Sequence, residues 1–342
     1  MKAAVRNPGR RGRSIEWPTV ALIVGVYLAF ALLTWFHAAL PLWLFLPCAI
    51  YIGGFYGHLQ HEVIHGHPTA NQRLNALLIF PSLWLWIPYR TSRHTHLTHH
   101  RDLYLTCPEK DPESFYVTPE AWAKMPIVER GFRLAMNSFA GRLLLSPPLS
   151  IYRVWADWLR RLAKGDRSDL SVWLWHFVAI AIPLAWACWI CGLPVWVYLL
   201  GFAYGGAAVS AMRSFLEHQA AAEVGERICV VESNLFFSLL FLYNNLHIVH
   251  HKHPGLAWYR IPARWQAKRD AYLALNGSYY FRGYGEVARR YLFTPKEHPV
   301  HPGMPRLADP RGLAWPAISL PGGNLAGAPY GPSTQSVPAK PV

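Results

Sequence analysis

The sequence contains few cysteines. It has 342 residues and five cysteines, which are Cys48, Cys107, Cys188, Cys191 and Cys229. These positions give neither a disulfide framework nor the four-cysteine set that holds an iron–sulfur cluster. Cys188 and Cys191 have metal-site spacing, but they lie in apolar sequence, where small packing side chains are the simpler interpretation.

Charged residues are absent from two long tracts, residues 18–57 and 172–212. Each tract is about twice the roughly 20 residues that one membrane-spanning helix needs, and each has a break near its middle, at Pro41 and at Pro194. The first tract is too long for a cleavable signal peptide and lacks a small-residue cleavage site. The sequence therefore predicts an all-α integral membrane protein with two transmembrane helical hairpins, hence four spans.

Acidic residues are scarce, and the formal net charge is +14. Excess Lys and Arg can neutralise nucleic-acid phosphates, but here they border the apolar tracts, whereas the loops inside both hairpins carry no charge. This is the positive-inside pattern. It predicts that both termini and the histidine clusters lie in the cytoplasm, at the inner or plasma membrane of a bacterium, and it argues against a nucleic-acid partner.

Histidine, by contrast, is abundant and clustered. Three short clusters stand beside apolar sequence, and the second and third both contain the pattern His-x-x-His-His. In a helix, residues three and four apart share a face, and imidazole is the commonest metal ligand. Nine histidines fit one centre, namely His61, His65, His96, His99, His100, His218, His247, His250 and His251. Nine ligands are more than one tetrahedral zinc can use. They suit two octahedral-type metals with open positions, as for iron that binds oxygen.

In these motifs the chain resembles the membrane fatty acid desaturase superfamily, the histidine-box di-iron desaturases and hydroxylases. The resemblance covers about residues 18–260 and consists of a first box of two histidines, two His-x-x-His-His boxes and the paired hairpins. His218 stands where structurally known relatives have a further histidine. The resemblance implies two irons, bound almost wholly by histidines in a histidine-rich cap at the cytoplasmic mouth of a four-helix domain.

The resemblance also implies an activity. We expect an O2-dependent desaturase that introduces a C=C bond into a fatty acyl chain, held as acyl-lipid or acyl-thioester. A membrane di-iron hydroxylase or carotenoid-type oxygenase is the alternative, because the same oxidant serves both outcomes. The sequence has no fused haem domain and no flavin or nicotinamide fingerprint. A separate electron carrier, of the ferredoxin, rubredoxin or cytochrome b5 type, and its reductase are therefore expected partners.

Polar residues within a turn of the boxes are candidates for holding the ligands. Metal-bound imidazoles usually donate their other ring N–H to a carboxylate or carbonyl. Glu62, Asp102 and Glu217 are plausible partners of this kind, and Asn244 is a further candidate that could hold a water ligand. Asp111 is treated as a solvated charge.

Two other readings compete. His61, Glu62 and His65 form a complete H-E-x-x-H motif, which in zinc proteases places two ligands on one helical face with a Glu as base. That reading leaves both His-x-x-His-His boxes unexplained. A metal transporter or sensor is the second alternative, but the histidines lie outside the spans, so no path crosses the bilayer.

The remaining chain is predicted to lie along the membrane surface. We expect a basic cytoplasmic arm over residues 1–17, a desaturase-like membrane and di-iron domain over 18–294, and a Pro/Gly-rich disordered tail over 295–342. Within the domain, segment 74–89 is expected to return to its own side of the membrane. The predicted interfacial or surface helices are 132–145, 152–163, 228–246 and 262–276.

Overall fold

The computed structural model describes residues 14–101 and 104–303. Most of the predicted basic arm, most of the predicted tail and Asp102 lie outside these residues. Within them, almost all regular structure is helical, with one two-stranded sheet. This composition agrees with the predicted all-α class.

Four helices are long and apolar enough to cross a membrane, as the two uncharged tracts predict. They run over Trp17–Trp35, Leu42–Ile64, Leu170–Ile190 and Val195–Glu217. The first two are α1 and α2, while the third is α8 (Leu170–Leu184), which continues as a π-helix over Ala185–Ile190. The fourth comprises α9 (Val195–Tyr198), a π-helix over Leu199–Gly205 and α10 (Gly206–Glu217). The predicted pair of helical hairpins is confirmed.

Both hairpins turn where the sequence predicts a break. Pro41 is extended and precedes α2, and Gly192 adopts φ of +74° between the third and fourth spans. That backbone region favours glycine, because it has no Cβ to clash. The turns therefore follow from local backbone chemistry.

Glycines let the second and fourth spans pack in close contact. A Cβ on Gly53 would lie 2.4 Å from the Phe202 carbonyl oxygen, and one on Gly206 would lie 2.6 Å from the Gly53 carbonyl carbon. In lipid, helices associate largely through such close packing of small residues. This contact brings the ends of α2 and α10 together, which carry His61 and Glu217.

The segment between the first two clusters stays on one side. It contains α3 (Gln72–Leu78), capped by the Asn71 side chain, and then irregular structure up to Pro88, where α4 (Tyr89–His99) begins. His96 on α4 approaches His65 at the end of α2, with 3.0 Å between their Nε2 atoms. The segment therefore returns to its starting side, as predicted.

The helices after α4 differ from the predicted pair 132–145 and 152–163. They are α5 (Pro119–Lys124), α6 (Ile127–Met136) and α7 (Phe139–Ala163). The break falls at Asn137 and Ser138, where the Ser138 hydroxyl accepts a hydrogen bond from Gly141 N–H. The predicted gap around Pro147 is wrong, because α7 continues through it.

The C-terminal part forms a cap. It contains α11 (Leu235–Leu240), α12 (His247–Lys252), α13 (Ile261–Leu275) and α14 (Tyr284–Tyr291), with strands β1 (Val230–Val231) and β2 (Tyr280–Phe281) paired in parallel. The expected helix over 228–246 is wrong, since that stretch contains a strand, a short helix and turns. The expected helix over 262–276 is confirmed by α13.

The described residues continue past residue 295, into the first part of the predicted tail. Val300 forms an isolated parallel bridge with Val117, and His301 is buried with its ring against Tyr116. Lys296 donates to the carbonyl of His218 at 2.7 Å. Residues 295–303 therefore pack against the body beside the fourth span.

Candidate metal centre

All nine predicted histidines lie together at one end of the four spans. They form two groups, in each of which the candidate ligand atoms lie within 4.8 Å of one another. The first group is His61, His65, His96, His100 and His250, and the second is His99, His218, His247 and His251. The two groups are adjacent, since the rings of His100 and His251 stack with centroids 4.3 Å apart.

Each His-x-x-His-His box is divided between the two groups. In the second box, His96 and His100 belong to the first group and His99 to the second. In the third box the assignment is reversed, because His247 and His251 belong to the second group and His250 to the first. Residues four apart lie on one helical face, and the residue between them is rotated away from it. The helix that carries each box therefore supplies histidines to both groups.

The Nε2 atoms converge in each group. In the first, the distances from His96 Nε2 to His65 Nε2 and to His100 Nε2 are both 3.0 Å. In the second, His218 Nε2 lies 3.0 Å from His99 Nε2 and 3.1 Å from His247 Nε2. Donors at about 2.1 Å from one ion are about 3.0 Å apart at right angles and about 3.4 Å apart in a tetrahedron. The spacing thus allows the Nε2 atoms of each group to bind one ion.

Protonation of these imidazoles also suits metal binding. Burial, followed by the neighbouring imidazoles, holds the pKa of several ligands well below the usual range, which leaves them neutral, the form that binds metals. They are His65, His100, His218, His247 and His250. His61 Nε2 is buried and has no hydrogen-bond partner among the described residues. The lone pairs of neutral imidazoles that point at one another in this way repel, and a cation between them would remove the repulsion.

Two carboxylates hold the second box. Asp111 Oδ1 lies 2.9 Å from His99 Nδ1, and Glu113 Oε1 lies 3.2 Å from His96 Nδ1. Burial acts to lower the pKa of His99, but Glu113 and Asp111 outweigh it and raise the pKa to about 9. Conversely, burial acts to raise the pKa of Glu113, but His96 and His99 lower it to about 2. The carboxylates keep the Nδ1–H of both rings, so a metal ion would replace the proton on Nε2 and bind there.

Other ligands have partners of several kinds. His247 Nδ1 lies 3.2 Å from Glu217 Oε1, and His218 Nδ1 lies 3.3 Å from the carbonyl of Arg227. The Asn244 amide nitrogen lies 3.5 Å from His61 Nδ1. Since amide oxygen and nitrogen are assigned from hydrogen bonding, the reversed amide would accept the His61 N–H. Glu217 and Asn244 thus lie beside His247 and His61, two of the candidate ligands.

Glu62 has a different environment. Its Oε1 accepts a hydrogen bond from Trp258 N–H at 2.9 Å and lies 3.7 Å from His67 Nε2, and His67 Nδ1 lies 2.6 Å from Glu16. Glu62 therefore links α2 to the segment after the third box. His61 and His65 lie with three histidines from other boxes, an arrangement unlike a two-histidine protease site.

Sequence reasoning missed the roles of Asp111 and Glu113. They lie more than ten residues after the second box, so no helical spacing connects them with it. A signal exists in hindsight, since Asp111 and Glu113 flank Pro112 in a turn-rich stretch. Asp111 accepts hydrogen bonds from Thr106 N–H and Glu113 N–H, both at 2.9 Å, and these bonds fold the loop back on α4.

A cavity of about 230 Å³ adjoins the first group. His61, His96 and Glu113 face it from the metal side, and Trp84 and Trp86 form part of its wall, with their rings stacked 4.9 Å apart. The cavity also touches α7 and α10. The cavity therefore connects α7 and α10 with the first group of histidines.

Fold and site together define a class, the membrane proteins with a histidine-lined metal centre at one end of four spans. Within it, the family model for fatty acid desaturases matches residues 38–283. The chain therefore belongs to the fatty acid desaturase family, as its motifs predict. Among curated proteins, no sequence matches the chain. Membership implies an oxidoreductase with iron-dependent catalysis and a lipid substrate.

Proposed function

We propose that this protein is an O2-dependent desaturase that introduces a C=C bond into an alkyl chain at the cytoplasmic membrane face. The single observation that carries the proposal is the division of nine histidines into two adjacent groups. Two irons, one bound by each group, would account for all the histidines of the three boxes.

The irons, when bound, would supply the oxidising power to remove hydrogen from an unactivated methylene in the presence of O2. The chain's own residues do the rest. Asp111 and Glu113 keep the Nδ1–H of His99 and His96 and so direct each Nε2 inward. The cavity beside His61 and His96 positions one methylene and excludes others.

Electrons must come from outside the chain. The sequence carries no flavin, nicotinamide or haem motif, and the cysteines are all free. A separate one-electron carrier with its own reductase is therefore part of the proposal. The basic residues that border the spans support a cytoplasmic position for the centre.

Metal analysis of detergent-purified protein tests the proposal. We expect about two irons per chain, and we expect His250→Ala to lose iron and activity while its insertion into the membrane stays intact. Each of the other eight histidines should behave in the same way. One zinc per chain, with no oxygen consumption after iron and reductant are added, would contradict the proposal.

Product analysis then separates the two oxidative outcomes. Lipids from cells that produce the wild type should lose two hydrogens, one from each of two neighbouring carbons, and those from cells that produce His250→Ala should not. A product that gains an oxygen atom instead would identify a hydroxylase with the same centre.

A further inference from the structure

The cavity beside the metal centre contains an arginine. Arg213 is on the last turns of α10, is 9% exposed and lines the cavity. Its Nε lies 3.1 Å from Glu217 Oε1, and Nη1 is buried with no hydrogen-bond partner among the described residues. An arginine side chain is always charged and carries only donors. A buried N–H group of this kind requires an acceptor.

Serines add to the polar character of the same cavity. Four of them line it, two on α7 and two on α10, and these are Ser146, Ser150, Ser210 and Ser214. Its lining also includes apolar side chains, among them Trp84, Trp86 and Phe115. A pocket for a plain hydrocarbon chain needs only the apolar wall. This pocket offers both apolar contact and hydrogen bonds.

The position of Arg213 relates the polar groups to the centre. Glu217 Oε1 contacts Arg213 Nε at 3.1 Å and His247 Nδ1 at 3.2 Å. Glu217 thus connects the guanidinium of Arg213 to the imidazole of His247. Arg213 also lines the same cavity of about 230 Å³ as His61 and His96 of the first group, so a substrate atom bound to it would lie in the same small space as the carbon that reacts.

We propose that the substrate is a lipid with a neutral oxygen group, a carbonyl or hydroxyl, within a few bonds of the carbon that reacts, and that Arg213 binds this oxygen. A bare alkyl chain would displace water and leave the Nη1 donors of Arg213 unpaired, which a site built for hydrogen bonding penalises strongly. An anionic group is disfavoured, because Glu113 and Glu217 also line the cavity. This inference rests on the proposed function and specifies its substrate class.

Binding of small probes tests the inference without turnover. Labelled decane, 2-decanone and decanoate are equilibrated at equal micellar concentration with the purified, iron-containing protein. Wild type should prefer 2-decanone over decane by about 10- to 100-fold, the usual range for a hydrogen bond to a charged group. Arg213→Met should lose this preference, whereas Arg213→Lys should keep part of it. Equal binding of decane and 2-decanone by wild type, or an unchanged preference in Arg213→Met, would overturn the inference.

Two further results keep the test decisive. Tighter binding of decanoate than of 2-decanone would overturn the neutral oxygen group. If Arg213→Met does not fold, the double variant Ser146→Ala with Ser210→Ala should show a smaller loss of preference, and no loss there would count against the inference. Iron is counted on the same samples. Two irons without a preference for the ketone would contradict only the proposed substrate class. A preference for the ketone in a protein that contains zinc and no iron would contradict only the desaturase proposal.

Discussion

At the scale of single residues, the centre depends on groups that touch the ligands. Asp111 accepts from His99 and from two backbone N–H groups, so one carboxylate fixes both an imidazole and the loop that carries it. Partners of this kind set the tautomer and orientation of a metal-bound imidazole. Their removal should therefore weaken metal binding while the ligand itself stays in place.

Asp111→Asn tests this role. The amide keeps the size of the side chain but removes the charge that holds His99 Nδ1–H, so we expect iron affinity or activity to fall by about 10- to 100-fold. Competition with a chelator measures the affinity. Asp270→Asn is the matched control, because its side chain is 99% exposed, and it should match the wild type. Equal iron retention in both variants would show that Asp111 only shapes the loop.

The protonation of His301 leads to a second prediction at this scale. Its Nε2 lies 3.1 Å from Thr106 Oγ1, and burial, followed by Arg227, lowers its pKa to about 4. The ordinary histidine pKa is about 6.5, so between these values the unfolded state binds the proton and the folded state does not. The stability that this group contributes is present above pH 6.5 and is lost as the pH falls towards 4.

His301→Gln isolates that contribution, because the amide does not titrate. Between pH 6.5 and pH 5 the wild type should lose about 2 kcal/mol more than the variant. Urea unfolding of the purified proteins at both pH values provides the measurement. Identical pH dependence in the two proteins would show that His301 is not held neutral.

At the scale of helices, the division of each box follows from helical geometry, whereas the breaks between elements follow from tertiary context. Two prolines, Pro147 and Pro148, make a helix break around residue 147 a reasonable expectation. Instead α7 runs through them, and the break occurs earlier, at the Ser138 cap. Packing of α7 against α10 outweighs the local cost of the prolines.

The contact between the second and fourth spans gives a prediction at this scale. Gly53→Ala should destabilise the protein by about 1–3 kcal/mol, because the new methyl group would overlap the Phe202 backbone. Gly25→Ala in α1 is the control, since a Cβ there meets nothing within 4 Å, and it should be neutral or mildly stabilising. Thermal unfolding in detergent compares the two. Equal melting temperatures would show that the spans separate enough to admit the methyl group.

At the scale of the whole molecule, the placement of charge predicts a single orientation in the membrane. The turn between the first two spans carries no charge, whereas the segment with the boxes is rich in Lys and Arg. Such an arrangement favours the boxes and both termini in the cytoplasm. All nine histidines lie at the same end of the spans, so one orientation serves the entire centre.

Cysteine labelling in intact cells tests the orientation. In a cysteine-free background, Ala38→Cys, in the loop between the first two spans, should react with a membrane-impermeant maleimide added outside. Glu120→Cys, at the first turn of α5, should react only after the cells are opened. Both positions are exposed, so accessibility to solvent is matched. The opposite labelling pattern would reverse the topology.

The sequence by itself determined the class, the four spans and the family, and it predicted the nine histidines that the fold brings together, because each depends on local composition or on helical spacing. A bilayer requires uncharged tracts of fixed length, and a metal requires specific donor types, so both leave a readable pattern. Asn244 and Glu217 were within reach of the same reasoning because they adjoin the boxes.

Only the tertiary structure decided which histidines share a group, which carboxylates hold them and what the cavity contains. His250 joins His61 and His65 although almost two hundred residues separate them, and Asp111 reaches His99 through a folded loop. Arg213 read from sequence is one more basic residue at the end of a span. Its meaning depends on burial beside Glu217 and four serines, which come together only when α7, α10 and the centre pack around one space.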